Sequence, residues 1–256
     1  MRGSVRTTGF TLIEVLVAMG LLGIILMLIM NWQMSTLSIS TRTNALTRSL
    51  NDLNDLTGYV GDRVRSAVRV HMATGSLSIN GKACTTDNPC LAVVLPETRN
   101  DGEIRKYNLF VYRMDPRSEA SADFIQTDSW ADTNVAVLHE YRSEDSGSNI
   151  TNCVVYDPGP TTPVARTTFE ASTSAACIAM RNLASQSTLS GFGKYLVADY
   201  LARATDLPAA QQPFAYSAAS KELTLNFRDK QRVRGTTTFL PTTGPFTMTV
   251  QARNVP

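Results

Sequence analysis

Residues 9–30, GFTLIEVLVAMGLLGIILMLIM, form one apolar run broken only by the Thr11 hydroxyl and the Glu14 carboxylate. Val15 to Met30 carries no charge. With Phe10 to Glu14 the run supplies about 21 helical positions, roughly 31 Å of helix, enough to span a hydrocarbon core of about 30 Å. A cleavable secretory signal fits poorly. The basic segment Met1–Thr8 and a small-x-small site at Ser38-Ile39-Ser40 are present, but the apolar stretch is too long and gains nothing from an acid. A plain anchor tolerates Glu14 near the helix N-terminus, where the helix dipole favours it. A carboxylate deeper in lipid costs about 2.5 to 3.5 kcal/mol on insertion scales, which makes Glu14 a functional candidate in need of a partner.

The stretch Gly9-Phe10-Thr11-Leu12-Ile13-Glu14-Val15 resembles the processing site of type IV pilins and of type II secretion pseudopilins, the specific likeness covering about residues 9–30. The resemblance implies that a membrane-embedded prepilin peptidase cuts after Gly9 and N-methylates Phe10. It also implies that Glu14 pairs with the N-terminus of an adjacent subunit and sets register as the subunit leaves the bilayer. Electrostatics agree, because an α-ammonium in apolar surroundings strongly favours an opposite charge nearby. Flanking charge alone leaves orientation open, since Arg2 and Arg6 are matched by Arg42 and Arg48 beyond the other end. The motif implies a cytoplasmic N-terminus, a single pass through a bacterial inner membrane, an exported C-terminal domain, and a later place in a cell-surface pilus. The implied partners are the peptidase, other minor and major pilins, the inner-membrane assembly platform and, before assembly, the lipid bilayer.

Beyond the bilayer run, Leu46, Leu50, Leu53, Leu56, Val60, Val64 and Val68 recur every three or four residues, the period of an amphipathic helix. The spacing predicts a helix continuing to about Val70, with Gly58 and Gly61 as weak points costing up to about 1 kcal/mol each relative to Ala. The Thr/Ser-rich stretch Ser35–Thr43 interrupts any heptad that would make it a coiled coil. From Leu91 the period changes to short β-rich runs at 91–95, 104–113, 134–142, 150–156, 222–228, 232–240 and 246–252, bounded by turns such as Asn100-Asp101-Gly102 and Asp157-Pro158-Gly159-Pro160. Tyr195–Ala204 reads as strand or short helix. The expected fold class is α+β, a type IV pilin fold in which a long N-terminal helix, transmembrane in its first half, packs on an antiparallel β-sheet. The expected organisation is a leader at 1–9, the helix at 10–70 with 10–30 in the membrane, and a globular β-rich domain at 71–256.

An even number of cysteines in an exported domain reads as disulfides. Among the three connectivities of Cys84, Cys90, Cys153 and Cys177, the local pairs Cys84–Cys90 and Cys153–Cys177 are favoured, at about 2.4 and about 3.5 kcal/mol in the chain-entropy model. Zinc is disfavoured, because five and 23 intervening residues match no structural zinc spacing and the two histidines, His71 and His139, form no pair. No metal or cofactor is expected. Calcium has weak support from two acidic loops, 123–132 (Asp123, Asp128, Asp132) and 144–149 (Glu144, Asp145), neither with EF-hand spacing. Catalytic motifs are absent from the sequence: His139-Glu140 lacks a second zinc-ligand histidine, and there is no Gly-x-Ser-x-Gly or Walker loop. His139 reads as a packing or surface residue. The Thr/Ser/Ala-rich stretch Pro160–Ser190 reads as a surface excursion clipped by Cys177, with a possible adhesive or partner-contacting role.

Lys and Arg number 24 against 22 Asp and Glu, so charge gives no help to direct nucleic-acid binding. There is no proline before Pro89, whereas many major pilins have one near the end of the apolar run, and 186 residues follow Val70. Both features resemble a larger minor pilin of the PilW type, which also has a loosely similar tail (195–200 through 246–250), or the J-type pseudopilin of type II secretion. The expected function is a minor pilin that helps initiate or cap the pilus. The alternatives are the pseudopilin and an adhesin or DNA-uptake module displayed on a pilus.

Overall fold

The computed structural model describes residues 11–100, 102–120, 125–143, 147–158, 163–209, 211–233 and 235–255. The chain begins with a long helix, α1 (Leu12–Ser66), followed by β1 (Arg69–Ala73), β2 (Ser78–Ile79), β3 (Lys82–Ala83), β4 (Cys90–Thr98) and β5 (Ile104–Pro116). Then come α2 (Ser129–Asn134), β6 (Ala136–Arg142), β7 (Cys153–Val154), α3 (Ala175–Arg181), β8 (Thr188–Leu189) and β9 (Gly193–Leu201). The chain closes with β10 (Phe214–Ser217), β11 (Glu222–Phe227), β12 (Asp229–Val233), β13 (Thr236–Leu240) and β14 (Phe246–Gln251). The architecture is α+β: a long apolar N-terminal helix followed by a domain built on antiparallel sheet. Two compact units divide between Arg48 and Ser49.

The first unit is helical from Leu12, and its large apolar side chains from Leu12 to Ile39 are open, from 42% exposed at Ile29 to 79% at Leu12, while Leu46 is half-buried. Its Ser/Thr-rich stretch is helical, with hydroxyls folded back onto the preceding turn, Thr36 Oγ1 to Trp32 O at 2.9 Å and Thr41 Oγ1 to Leu37 O. Such back-bonds compete with the helix's own ladder.

In the second unit the main sheet runs β1-β4-β5-β6-β9-β12-β13, with β7 also paired to β5. All its pairings are antiparallel. Because side chains alternate across a strand, Leu91, Val93, Phe110, Tyr112 and Leu138 face one side and meet Leu53, Leu56, Val60 and Val64 of α1. Helical spacing and strand alternation thus bury complementary stripes against one another. A second sheet, β10-β11-β14, adds Phe214, Leu223, Leu225, Phe227 and Val250 to the same core. It approaches the helix so closely that a Cβ at Gly61 would lie 3.0 Å from Val250 Cγ2. Gly58 has open space instead.

Four features depart from the sequence expectation, and the open reading of Tyr195–Ala204 is resolved. α1 stops at Ser66, and the segment expected to end the helix at about Val70 turns into β1. The run 232–240 is a hairpin of β12 and β13 turning around Gly235 at φ +81°, and only Cys153–Val154 of the run 150–156 is strand. Tyr195–Ala204 is strand β9 up to Leu201, followed by a short 3-10 turn. The stretch 163–190 is not a surface excursion. Phe169, Cys177, Met180, Leu183 and Leu189 are buried and cover the sheet face away from α1, packing on Ala92, Val94, Leu109, Val111 and Tyr141. An amphipathic α3 and the Cys153 bridge hold that cover down, giving three layers where two were expected.

Candidate functional site

The start of α1 is built by its own sequence. Thr11 precedes the first helical residue, and Glu14, one turn in, reaches back: its Oε2 accepts the Thr11 N–H at 2.9 Å and the Thr11 hydroxyl at 3.0 Å. This is the returning half of a capping box, with a carboxylate satisfying a backbone donor that the helix leaves without a partner. The acid therefore sits where the helix dipole favours it. Gly9 and Phe10 lie outside the described residues. α1 is long and apolar enough to cross a membrane, and its most apolar stretch is wholly unburied.

The second half of α1 is seated on the sheet by a polar cluster that the sequence did not reveal. Alternation along β6 sends His139 to one face and Glu140 to the face under the helix. The Glu140 side chain has no exposure. Its Oε2 accepts the Tyr59 hydroxyl at 2.8 Å and lies 3.7 Å from Arg63 Nε, and its Oε1 accepts Arg142 Nε at 2.6 Å. Arg63 also donates to the Tyr59 hydroxyl at 2.7 Å and lies over the Phe110 ring. Burial, followed by Glu140, pushes the Tyr59 and Tyr112 phenols up, so both keep their protons. One buried carboxylate is thus compensated by two guanidinium groups and a phenol, two of those three from the helix.

His139 is buried on the opposite face, where its Nδ1 lies 2.6 Å from Asp115 Oδ2; the same oxygen accepts the Tyr141 hydroxyl at 3.1 Å, and Arg113 closes on Asp115 Oδ1. Burial and the Lys194, Lys82 and Arg113 cations hold its pKa down, so the neutral ring with its proton on Nδ1 suits this place. No nucleophile stands on its other side among the described contacts, and the arrangement is a packed polar knot. Of the acidic loops, Asp123, Glu144 and Asp145 lie outside the described residues. Asp128 caps α2 through the Trp130 and Ala131 N–H groups and accepts the Tyr200 hydroxyl, while Asp132 pairs with the buried Arg117. Among the described residues no group of three His, Cys, Asp or Glu side chains is placed to hold a metal ion. The cysteines are bonded as Cys84–Cys90 and Cys153–Cys177, all four buried in the far-face core.

With this geometry in hand, residues 6–30 match the prokaryotic N-terminal methylation motif. Neither a curated protein nor a solved structure matches the chain. The match supports a protein of the type IV pilin and pseudopilin class, with a prepilin-type N-terminus on an apolar helix that fits inner-membrane anchoring. The motif implies processing by a prepilin peptidase and pilin-type assembly, a structural rather than enzymatic class of role.

Proposed function

We propose that the chain is a minor type IV pilin, a low-abundance subunit that helps initiate or cap the pilus. In this reading residues 1–9 are a leader, 10–30 are the membrane anchor, and the domain beyond the helix is exported and presented outside. The observation that carries it is the methylation motif at the head of an open apolar helix whose Glu14 points back at the Thr11 amide. Cleavage after Gly9 leaves a cation at Phe10, next in sequence to the amide Glu14 already holds, and the acid is then ready to exchange that contact for the N-terminus of a neighbour. The partners are the peptidase, the other pilins and the assembly platform. The domain requires no cofactor for this role, and the near balance of charges gives direct nucleic-acid binding no support.

The missing proline before Pro89 keeps a second reading in view, a J-type pseudopilin of a type II secretion tip complex. Mass spectrometry of N-terminal peptides from sheared surface filaments and residual envelope separates them. An N-methylated Phe10 terminus in sheared filaments is expected. The same terminus confined to the envelope favours the pseudopilin, and an intact Met1 in both fractions refutes processing altogether.

A further inference from the structure

β13 ends the main sheet, with β12 as its neighbour on one side and an open edge on the other. β12 itself meets β9 at a single pair, Asp229 with Leu201. The hairpin pairs Val233 with Thr236 across its turn and keeps register as far as Asp229 and Leu240. The pair flanking a two-residue turn exchanges both of its hydrogen bonds, and bonding then alternates along the ladder. Thr236, Thr238 and Leu240 therefore bond to β12, whereas the N–H and C=O groups of Thr237 and Phe239 point to the open side. None of the described residues bonds to them there. Folded sheets usually blunt such an edge with a lysine, a proline or a bulge. β13 has none of these, only three threonines, a phenylalanine and a leucine in unbroken register. The opposite edge strand, β1, carries Arg69, ion-paired with Glu170 at 2.7 Å.

The charge lies one strand back. From Arg228 to Arg234 the sequence holds four basic residues against one acid, Asp229. Paired residues of a ladder share a face and successive residues alternate, so Arg228, Lys230 and Arg232 lie with Phe239 and Thr237, and Asp229 lies on the other face. Arg228 and Lys230 sit over the Phe239 ring, 4.7 and 5.4 Å from its centre. Lys230 is answered by Asp206 at 2.7 Å. Arg228 donates to the carbonyls of Pro241 and Thr242 at 2.8 and 2.7 Å, and Arg232 Nε to the Gly235 carbonyl at 3.3 Å. Among the described residues neither of these two guanidinium groups meets a carboxylate.

We propose that the β13 edge takes up an extended segment of another polypeptide chain as an added strand, one with acidic residues at alternate positions. The backbone of Thr237 and Phe239 supplies the ladder, and the cationic face of the hairpin supplies the selection. Neighbouring strands lie about 4.8 Å apart, so an acid set beside Thr237 or Phe239 comes within reach of the long Arg232 and Arg228 side chains. A second copy of β13 satisfies the ladder but not the charge: paired antiparallel about Thr238, it sets Thr237 opposite Phe239 and brings no carboxylate to the cations. Nucleic acid answers the charge but leaves the Thr237 and Phe239 backbone without a strand to pair with. The docking edge stands independently of how the N-terminus is processed.

Hydrogen exchange of the full-length chain in detergent, read on peptides covering 235–240, tests this with a short synthetic strand of alternating threonine and glutamate. At saturation the strand is expected to slow exchange of the Thr237 and Phe239 amides at least about tenfold. A threonine–lysine strand at the same concentration is expected to leave exchange unchanged, and Arg232→Glu to reverse that preference. Thr237→Pro deletes an N–H that β12 does not use and is expected to abolish the slowing at Phe239. If that variant fails to fold, an acidic strand N-methylated at alternate backbone nitrogens makes the same test on the unaltered chain and is expected to have no effect. Unchanged exchange with millimolar acidic strand overturns the proposal, as does equal slowing by the lysine strand or by the N-methylated one. Slowing by a single-stranded oligonucleotide where the acidic strand has no effect overturns it in favour of nucleic acid.

Discussion

Replacing Glu140 by Gln removes the charge that seats the helix while keeping the size and shape of the side chain. Glu140 is fully buried, and it joins Tyr59 and Arg63 of α1 to Arg142 of the sheet. Removing one partner of a buried ion pair costs about 3 to 5 kcal/mol, because the other charge is left uncompensated. Here the Arg63 and Arg142 side chains keep 23% and 29% exposure, so water takes up part of their charge and about 2 to 4 kcal/mol is expected. For a domain of this size that lowers Tm by roughly 5 to 15 °C. Thermal unfolding of the full-length chain in detergent, followed by near-ultraviolet circular dichroism at pH 7, reads it directly. Tyr59→Phe removes one hydrogen bond to the same carboxylate and is expected to cost about 1.5 to 3 kcal/mol. The two changes share a partner, so the double variant should lose at least about 0.5 kcal/mol less than their sum. A loss below about 1 kcal/mol for Glu140→Gln, or strict additivity with Tyr59→Phe, refutes the argument that this cluster seats the helix.

The two helix glycines should separate in the same assay. Gly58→Ala, with open space at its Cβ, gains about 0.5 to 1 kcal/mol, whereas Gly61→Leu drives side-chain atoms into Val250 and Met248 and costs at least about 1 to 3 kcal/mol. Opening Cys153–Cys177 by double Ser substitution should cost more than opening Cys84–Cys90, about 3.5 against about 2.4 kcal/mol, because it frees the longer loop. Equal losses in urea titrations would set the loop argument aside. Gly191→Ala should fail to accumulate as folded protein in a limited-proteolysis assay, since its φ is +74° and a Cβ there would lie 1.9 Å from Gly147 O.

Local spacing made the helix legible. Leu53, Leu56, Val60 and Val64 are neighbours on one face by sequence arithmetic alone, and they are the residues the domain buries. The run Leu91–Leu95 was likewise legible as a strand, but its lack of alternation, which signals cover on both faces, went unread. Glu140 was hidden because an acid on a strand reads as solvent-facing, and its helix partner Tyr59 lies 81 residues away. The cover at 163–190 was hidden because its apolar residues are sparse and irregular among Thr, Ser and Ala, so no period betrays them. The β12–β13 turn carried a signal that went unread, a glycine at 235 in the middle of the supposed strand. At the N-terminus the processing motif was legible as a spacing of specific residues, yet Gly9 and Phe10 lie outside the described residues, and only Thr11 and Glu14 receive a geometry.

The division of the chain between Arg48 and Ser49 follows from how its apolar surface is spent. The stripe from Leu53 to Val64 is consumed by two sheets, and the Gly61–Val250 approach leaves no room for another helix on that face. An amphipathic helix whose apolar stripe is filled has only polar faces left, here Asp52, Asp55, Asp62 and Arg65. The apolar surface still open to another helix therefore lies before Ser49, where the large apolar side chains from Leu12 to Ile39 are exposed. On the proposed pilin reading lipid and subunit compete for that one surface, since burial of those side chains is satisfied equally by hydrocarbon or by another apolar helix. Leaving the bilayer for an assembly needs a term that distinguishes the two. On the proposed pilin reading a single carboxylate near the start of that surface supplies it, because lipid offers Glu14 no cation and the processed N-terminus of a neighbour would.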